Sequence, residues 1–265
     1  MPELILRLAL PSPLRRLFDY RAPAGLTRQD LHPGMRLRVP FGRREVVGIL
    51  VELRNHSEVP PDKLKPALQL LDPQAPLPAP MLKLCLWAAQ YYQHSLGDTF
   101  SWALPVLLRQ GEPAELRQER YWHVIAGACP DDPRLQRAPR QREALVTLAQ
   151  SSACNAIRSG LDSFNAYLLD GVTGSGKTEV YLQLIHQTLE AGKQALVLIP
   201  EINLGPQTLE RFTRRFNARI VLLHSAVNDR ERLDAWSAAL DGEADIIIGT
   251  RSALFTPMKN PGLII

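Results

Sequence analysis

Cysteine is scarce in this 265-residue sequence, and long apolar runs are absent. The three cysteines, Cys85, Cys129 and Cys154, form no C-x-x-C pair. Their spacing argues against a zinc-binding motif and a disulfide framework, and it fits a reducing compartment. No apolar run reaches the roughly 18 residues typical of a membrane span, and the N-terminus lacks the basic start of a signal peptide. We therefore expect a cytoplasmic protein without a membrane partner.

A strong excess of charge of one sign is also lacking. Lys and Arg together number 31 and Asp and Glu together 27, which gives a formal net charge of +4. This mild basicity is compatible with nucleic-acid binding but does not require it. The length and the 45% hydrophobic content are sufficient for two domains with buried cores.

The most specific motif present is the glycine-rich stretch "GVTGSGKT", which fits the pattern G-x-x-x-x-G-K-[S/T]. Such a loop surrounds a phosphate with backbone N–H groups, and the helix that follows favours the anion at its N-terminus. We expect Lys177 to contact the β- and γ-phosphates of ATP and Thr178 to ligate Mg²⁺, which makes them the predicted catalytic residues. The predicted nucleotide-binding residues are Gly171, Val172, Thr173, Gly174, Ser175, Gly176, Lys177 and Thr178. The alternative is a glycine turn that binds no nucleotide.

An acidic pair that would complete a motor site is missing. P-loop motors hold Mg²⁺ and activate water with acidic residues at the end of a neighbouring strand. No run of four apolar residues is followed by Asp-Glu. Glu201 follows a predicted strand without a preceding Asp, and Asp245 precedes its strand. Because the sequence ends at "NPGLII", inside an apolar run, we expect a truncated motor with little or no ATPase activity.

The N-terminal part of the sequence has the alternating pattern of strands. The stretches "MRLRVPF" and "REVVGILVEL" predict an antiparallel β domain, either a barrel or a sandwich, with Arg36 and Arg38 on its outer face. Four prolines in "DPQAPLPAP" predict a stiff linker over 72–80. A helix over 81–94 follows, whose Trp87 and Tyr91 we interpret as core residues. The alternative is that the aromatic side chains of this region stack on bases.

Farther along the chain the pattern changes. The stretch "RYWHVIAG" predicts a strand and "PRQREALVTLAQ" a helix. From about residue 152, helical segments alternate with apolar strands such as "AYLLDG", "QALVLIP" and "ADIIIGT". This alternation is typical of a parallel sheet with helices on both faces. The predicted fold class is therefore α/β behind a small antiparallel β domain.

The stretches "GVTGSGKTEVY", "LVLIPEINLGPQT", "LLHSAVNDRERLDAW" and "GTRSALFTPMKN" resemble the motor of the PriA family, the superfamily 2 helicases of bacterial replication restart. The resemblance implies a 3′-DNA-end-binding β domain with a helix over 1–110, a winged-helix remnant over 111–150 and an incomplete first RecA-like lobe over 151–265. It also implies an internal deletion in the winged-helix region and an end before the family's D-E-E-H box. The second lobe and the zinc-binding cysteines of the family are absent from these residues. The segment "SSACN" stands where the family has a glutamine that reads adenine.

The stretches "RLFDY", "RVPFG" and "KLK" resemble the family's pocket for the 3′-OH end of a nascent DNA strand. By this resemblance Phe18 stacks on the terminal base, and Asp19 accepts a hydrogen bond from the 3′-hydroxyl. Gly42 leaves room for the nucleotide, Lys65 lines the pocket, and Arg251 contacts single-stranded DNA. The alternatives are a core role for Phe18, a turn role for Asp19 and an ordinary surface position for Arg251.

The resemblance implies an ATP-driven 3′-to-5′ DNA helicase that binds stalled forks and loads the replicative helicase. Its implied partners are forked DNA with a 3′-OH end, single-stranded DNA, other primosome proteins and single-strand-binding protein. Its implied location is the bacterial cytoplasm, at the nucleoid. For these 265 residues we expect binding of DNA and ATP without unwinding. The alternative is a DNA-end-binding module with an inert motor fragment, and a small-metabolite kinase would need a base and a lid that the sequence does not show.

Overall fold

The computed structural model of the protein describes residues 4–114, 147–160, 163–200 and 206–265. The chain forms two compact units. The first unit comprises residues 1–116, 228–240 and 255–257, and the second unit comprises residues 117–227, 241–254 and 258–265. The strand predicted over 120–127 and most of the helix predicted over 139–150 lie outside the described residues, as does Glu201. The predicted winged-helix remnant and the predicted domain boundaries therefore stay predictions.

An antiparallel sheet forms the first unit, as predicted from its alternating sequence. Its strands are β1 (Ile5–Ala9), β2 (Phe18–Arg21), β3 (Arg36–Phe41), β4 (Arg44–Arg54) and β5 (Gln69–Leu70). They lie in the order β2-β1-β4-β3-β5 and pair antiparallel throughout. Alternate side chains of these strands bury a core around Leu6, Leu8, Leu37 and Leu50.

The two ends of this sheet are joined, so that it closes into a barrel. Arg21, at the end of β2, donates its N–H to the carbonyl of Lys65 at 2.9 Å and accepts from the N–H of Ala67 at 3.0 Å. The same stretch runs directly into β5, which pairs with β3. The hydroxyl of Tyr20 also donates to the carbonyl of Pro40 at 2.9 Å, which ties β2 to β3 directly. Closure removes free strand edges and brings residues from opposite ends of the sheet together.

Three helices follow the barrel in the chain. They are α1 (Ala79–Tyr91), α2 (Leu96–Ala103) and α3 (Val106–Gln110). Ser95 caps α2, because its hydroxyl accepts the N–H of Asp98 at 3.1 Å. The buried side chains Leu82, Cys85 and Phe100 pack α1 and α2 into a second core.

Three predictions for this unit are wrong. Arg36 does not lie on the outer face: it is fully buried and forms an ion pair with Asp72. The proline-rich stretch 72–80 is not a stiff linker, because Asp72 and Leu77 are buried in the first unit and α1 already begins at Ala79. Trp87 and Tyr91 are not core residues, since they are 54% and 65% exposed and α1 buries its opposite face instead.

The second unit contains a parallel sheet, which confirms the predicted α/β class. Its strands are β6 (Gln194–Leu198), β7 (Ile220–Leu223), β8 (Ile246–Gly249) and β9 (Pro261–Ile264), in the order β7-β8-β6-β9. Its helices include α4 (Leu148–Arg158), α5 (Lys177–Glu190) and α6 (Pro206–Arg215). A 3-10 helix (Arg251–Phe255) follows β8. The strands β6 and β8 are almost fully buried, as expected for central parallel strands.

One predicted strand of this sheet does not form. The stretch 166–171, "AYLLDG", has no strand hydrogen bonding, and Leu168 is 94% exposed. Among the described residues, β9 pairs only with β6. An apolar stretch becomes a buried parallel strand only when other strands pair with both of its edges and helices cover both of its faces. Of the described residues 166–171, only Leu169 packs against a core cluster, which contains Val180.

The last helix, α7 (Asp229–Asp241), follows β7 in the chain, and residues 229–240 of it belong to the first unit. Leu233 and Trp236 lie in the same core cluster as α1 and α2. The indole N–H of Trp236 donates to the carbonyl of Ala103 at 2.9 Å. Within the described part of the chain, no helix is both long enough and apolar enough to span a membrane.

Candidate functional site

The glycine-rich motif forms a tight loop at the start of α5. Residues 173–175 make a turn, in which Ser175 donates its N–H to the carbonyl of Val172 at 3.2 Å. Gly176 caps α5 with φ of +84°, a conformation that favours glycine. A side chain there would also collide with Gln150, because a Cβ atom would lie 2.0 Å from its Nε2 atom. The loop thus places the N-terminus of a 14-residue helix next to exposed backbone.

Lys177 and Thr178 occupy the first turn of α5. The ammonium group of Lys177 donates to the carbonyl of Gly171 and, at 3.1 Å, to the carbonyl of Val172. Its charge therefore lies across the loop on backbone acceptors that a phosphate group would replace. Thr178 is exposed, so its hydroxyl is accessible to a cation. A helix N-terminus with a lysine and an accessible hydroxyl is chemically suited to a triphosphate with Mg²⁺.

Gln150 is a residue of this site that the sequence analysis missed. Its side-chain nitrogen lies 3.4 Å from the carbonyl oxygen of Ser175 and 3.3 Å from that of Gly176. Its side-chain oxygen accepts the N–H of Thr147 at 2.8 Å, and Thr147 caps α4 in return. This capping box fixes the start of α4 at the phosphate loop. The signal was in the sequence, since "TLAQ" has the spacing of a capping box.

Among the described residues, no group of three or more His, Cys, Asp or Glu side chains could hold a metal ion. Glu179, in the first turn of α5, is paired with Arg215 at 3.0 Å. Thr178 is therefore the side chain at the loop that fits the Mg²⁺ of a nucleotide. A single hydroxyl ligand would fit a Mg²⁺ ion that takes its other ligands from phosphate oxygens and water.

At the seam between β2 and β3, barrel closure brings the predicted DNA-end residue Phe18 next to an aromatic residue of β3. Two strands, β1 and β4, separate β2 from β3 in the sheet order, but the ring centroids of Phe18, on β2, and Phe41, on β3, are 5.3 Å apart in an edge-to-face contact. The guanidinium group of Arg16 lies 5.1 Å from the ring centroid of Phe18. Phe18 is partly buried and packs against the barrel core around Leu8 and Leu37, so the alternative of a core role stays open beside that of a base-stacking ring. An aromatic ring with a cation above it is suited to stacking a base beside a phosphate.

Asp19 is the next residue on β2 and points to the other face of the strand. Its Oδ2 atom accepts the hydroxyl of Ser57 at 2.5 Å. Its Oδ1 atom lies 3.4 Å from the Nε atom of Arg7, and the Asp19 side chain is 14% exposed. Asp19 therefore belongs to a strand and a polar network, not to a turn.

Of the other predicted DNA-end residues, Gly42 lies in the β3–β4 hairpin and Lys65 in the segment before β5. Gly42 is at the exposed tip of the β3–β4 hairpin, next to Phe41, and a Cβ atom there would meet nothing within 4 Å. Open space at this tip is what a bound nucleotide would require. Lys65 is exposed, and its carbonyl accepts the N–H of Arg21 two residues beyond Asp19.

Arg251 lies in the second unit. It is exposed at the start of the 3-10 helix, two residues after β8 ends. The N–H of Ile199, just after β6, donates to the carbonyl of Gly249 at 2.8 Å, so the carboxyl ends of β6 and β8 meet here. Binding sites of open α/β sheets lie at this edge.

Comparison with known families matches both units. The model described as the 3′DNA-binding domain (3′BD) of PriA matches residues 7–105. The model described as the DEAD/DEAH box helicase matches residues 147–264, a range that begins at the capping box of α4 and contains the phosphate loop.

Individual relatives extend the match over nearly the whole chain. Replication restart protein PriA of Haemophilus influenzae is 41% identical and covers 98% of this chain, which spans 43% of that relative. PriA of Bacillus subtilis is 40% identical over 63% of this chain and 20% of the relative. PriA of Rickettsia felis is 30% identical over 98% of this chain and 36% of the relative. The chain thus spans less than half the length of these curated relatives.

The alignments differ in their internal length. The Haemophilus alignment runs over 321 residues and the Rickettsia felis alignment over 261 residues, although each covers 98% of this chain. The Haemophilus relative therefore carries an internal segment that this chain lacks, and the Rickettsia felis relative carries almost none.

Proposed function

Because the chain belongs to the family of the replication restart protein PriA, we propose that it binds DNA at a free 3′-hydroxyl end and binds ATP with Mg²⁺. The DNA end would occupy the seam between β2 and β3, and the nucleotide would occupy the loop before α5. The physiological targets would be stalled forks and single-stranded DNA in the cytoplasm, where primosome proteins and single-strand-binding protein would act on the same DNA.

The closure of the barrel is the observation that carries the DNA-end proposal. It sets Phe18 beside Phe41 at 5.3 Å, although the two residues are 23 positions apart in the sequence, and it bonds the end of β2 to the carbonyl of Lys65. Phe18 would stack on the terminal base, and such stacking tolerates any base. Asp19 would accept the 3′-hydroxyl, and its carboxylate would repel a 3′-phosphate.

Basic side chains near the seam would hold the DNA backbone. Arg15, Arg16, Arg43 and Arg44 are exposed around Phe18 and the hairpin tip. Phosphate contacts of this kind release counterions, so the affinity would fall as the salt concentration rises. Arg251 would contact single-stranded DNA at the edge of the second sheet.

The nucleotide proposal rests on the loop geometry. The phosphates would take the place of the carbonyl contacts of Lys177, with Thr178 on Mg²⁺. Gln150 directly precedes the "SSACN" stretch that the sequence analysis placed at the adenine-reading position. It would take that role instead, because its amide lies at the loop. The 265-residue sequence contains no Asp-Glu pair after an apolar run. We therefore expect the chain to bind ATP without significant ATP hydrolysis and without unwinding of forked DNA.

A titration with a fluorescent ATP analogue tests the nucleotide site. Removing a charge-assisted contact costs roughly 1.5–3 kcal/mol, so Lys177→Ala should weaken binding by about 10- to 100-fold. Lys83→Ala, which removes an exposed lysine from α1, is the control and should bind as the wild type does. Binding that is insensitive to Lys177→Ala would contradict the proposal.

A binding assay with recessed duplexes tests the DNA-end site. Stacking of a base on an aromatic ring contributes about 1–3 kcal/mol, so Phe18→Ala should weaken binding of a 3′-OH end by about 10- to 100-fold. A 3′-phosphate end should bind the wild type more weakly than a 3′-OH end. Equal affinities of the two ends would remove the proposed role of Asp19.

A second candidate function is that of a DNA-end-binding module with an inert motor fragment. The exposed apolar stretch before the loop favours it, since Phe164 is 96% exposed and Leu168 is 94% exposed. In that case, 3′-end binding would be intact while the wild type showed no binding of the ATP analogue that depends on Lys177.

A further inference from the structure

We propose that Ser57 and Arg7 are positioning residues that fix the Asp19 carboxylate for recognition of a 3′-hydroxyl group. This inference rests on the proposed function, because it assigns the source of the specificity of the same DNA-end site. Neither residue belongs to the motifs that marked the pocket in the sequence. Both are placed beside Asp19 by the barrel.

Ser57 holds one oxygen of the Asp19 carboxylate through a hydrogen bond. The backbone N–H of Val59 donates to its Oγ atom at 3.0 Å, and its hydroxyl donates to the Oδ2 atom of Asp19 at 2.5 Å. Because the N–H occupies one acceptor site of the hydroxyl oxygen, the hydroxyl hydrogen is left to point at the carboxylate. A loop residue 38 positions away thus sets the rotamer of Asp19.

Arg7, on the neighbouring strand β1, forms an ion pair with the other oxygen of the Asp19 carboxylate. Arg7 is paired in register with Asp19 of β2 and with Glu52 of β4, so the three side chains lie on the same face of adjacent strands. Its Nε atom is 3.4 Å from the Oδ1 atom of Asp19, and its terminal nitrogen donates to Glu52 at 3.2 Å. Arg54 also donates to Glu52, and this hydrogen bond, with a smaller contribution from Arg7, holds the pKa of Glu52 below its ordinary value. The ionised Glu52 keeps Arg7 in place.

The geometry leaves capacity on Asp19 for a ligand. A carboxylate has about four acceptor sites, and Ser57 and Arg7 each engage one oxygen from within the protein. The remaining sites can accept a hydroxyl donor. A 3′-deoxy end offers no donor and would leave the fixed carboxylate unsatisfied, which is how sites built around a hydroxyl reject its analogue. A carboxylate free to turn toward water would discriminate less, because it would lose little when the hydroxyl is missing.

The test measures discrimination, not affinity alone. Recessed duplexes that differ only in a 3′-OH or a 3′-H terminus are titrated into the full chain, and the ratio of the two Kd values is determined by fluorescence anisotropy. A variant that is partly unfolded lowers both signals equally, so the ratio reports the site itself. The variants are Ser57→Ala, Ser57→Thr, Arg7→Gln and Asp19→Asn. Ser101→Ala is the matched control, because the Ser101 hydroxyl donates within α2, to the carbonyl of Gly97.

We expect the wild type and Ser101→Ala to prefer the 3′-OH end by the same ratio. Ser57→Ala should lower that ratio by about tenfold, the equivalent of one hydrogen bond to a charged group, and Ser57→Thr should restore it. Arg7→Gln should lower it as well. An unchanged ratio in Ser57→Ala, together with a lost ratio in Asp19→Asn, would overturn this inference and leave the proposed function standing. A wild type that does not distinguish the two ends would refute both.

Discussion

The buried ion pair of the first unit is the feature whose removal should have the largest measurable effect. Arg36 is fully buried, and its guanidinium group bonds both carboxylate oxygens of Asp72, at 2.8 and 2.5 Å. It also donates to the carbonyls of Leu108 at 2.5 Å and Glu112 at 2.9 Å, which ties the barrel to the end of α3. We consider the substitution Asp72→Asn, which keeps the shape of the side chain and removes its charge.

The magnitude follows from the burial of both partners. Breaking a buried ion pair by neutralising one partner costs about 3–5 kcal/mol, because the other charge stays in a medium of low dielectric constant. Here the remaining guanidinium would keep two backbone carbonyls but lose its counter-charge. With a urea dependence of about 1–3 kcal/mol per molar for a unit of this size, the midpoint of unfolding should fall by more than about 1 M.

Urea unfolding followed by tryptophan fluorescence is the assay. Of the four tryptophans, Trp87, Trp102 and Trp236 lie in the first unit, so the assay uses a Trp122→Phe background in which the signal reports on the unit that contains the ion pair. Asp62→Asn, the same chemical change at an exposed position, is the control and should cost less than about 0.5 kcal/mol. If Asp72→Asn cost as little as the control, the ion pair would not stabilise the unit, and the reasoning would be refuted.

Three further predictions concern packing. Gly34→Ala would place a Cβ atom 2.1 Å from the carbonyl oxygen of Leu77, whereas a Cβ atom at Gly25, which also has a positive φ, would meet nothing within 4 Å. In urea unfolding, Gly34→Ala should therefore lower the free energy of unfolding by several kcal/mol and Gly25→Ala by about 1 kcal/mol. Equal costs of the two substitutions would contradict the packing argument. Burial raises the pKa of Cys85 from 9.0 to about 12. Because the raised pKa belongs to the folded state, its stabilising contribution is complete below pH 9 and is lost as the pH rises from about 9 to about 12. In the folded protein at pH 8 the thiol should resist iodoacetamide, and labelling of Cys85 at the unfolded rate, measured by mass spectrometry, would show that it is not buried. Trp236→Phe removes the hydrogen bond to the carbonyl of Ala103 at the end of α2 and should lower the free energy of unfolding by about 1–3 kcal/mol. Amide hydrogen exchange in α7 should then accelerate. An unchanged exchange rate would mean that this hydrogen bond does not hold the helix in place.

Local patterns were sufficient to predict much of the fold. The apolar strands β6 and β8 and the helix after the glycine-rich loop were predicted from periodicity and motif spacing, because each depends on residues that are close in sequence. The same is true of β3 and β4, whose hairpin turn at Gly42 joins two alternating stretches. The predicted order of an antiparallel domain before a parallel α/β domain is confirmed.

The failures all involve partners that are distant in the chain. Arg36 was assigned to the surface because its burial depends on Asp72, 36 residues later. Trp87 was assigned to the core because helical spacing cannot show which of two apolar faces of α1 is covered. The network around Asp19 could not be predicted either, since Ser57 reaches it only after the barrel has closed.

A crystal structure of the chain with a short recessed duplex ending in a 3′-hydroxyl tests the account most directly. We predict that the terminal base stacks on Phe18 and that the 3′-oxygen lies within hydrogen-bonding distance, about 3 Å, of the Asp19 carboxylate, with Ser57 still bonded to its other side. DNA bound elsewhere on the first unit, with an empty seam between β2 and β3, would contradict it.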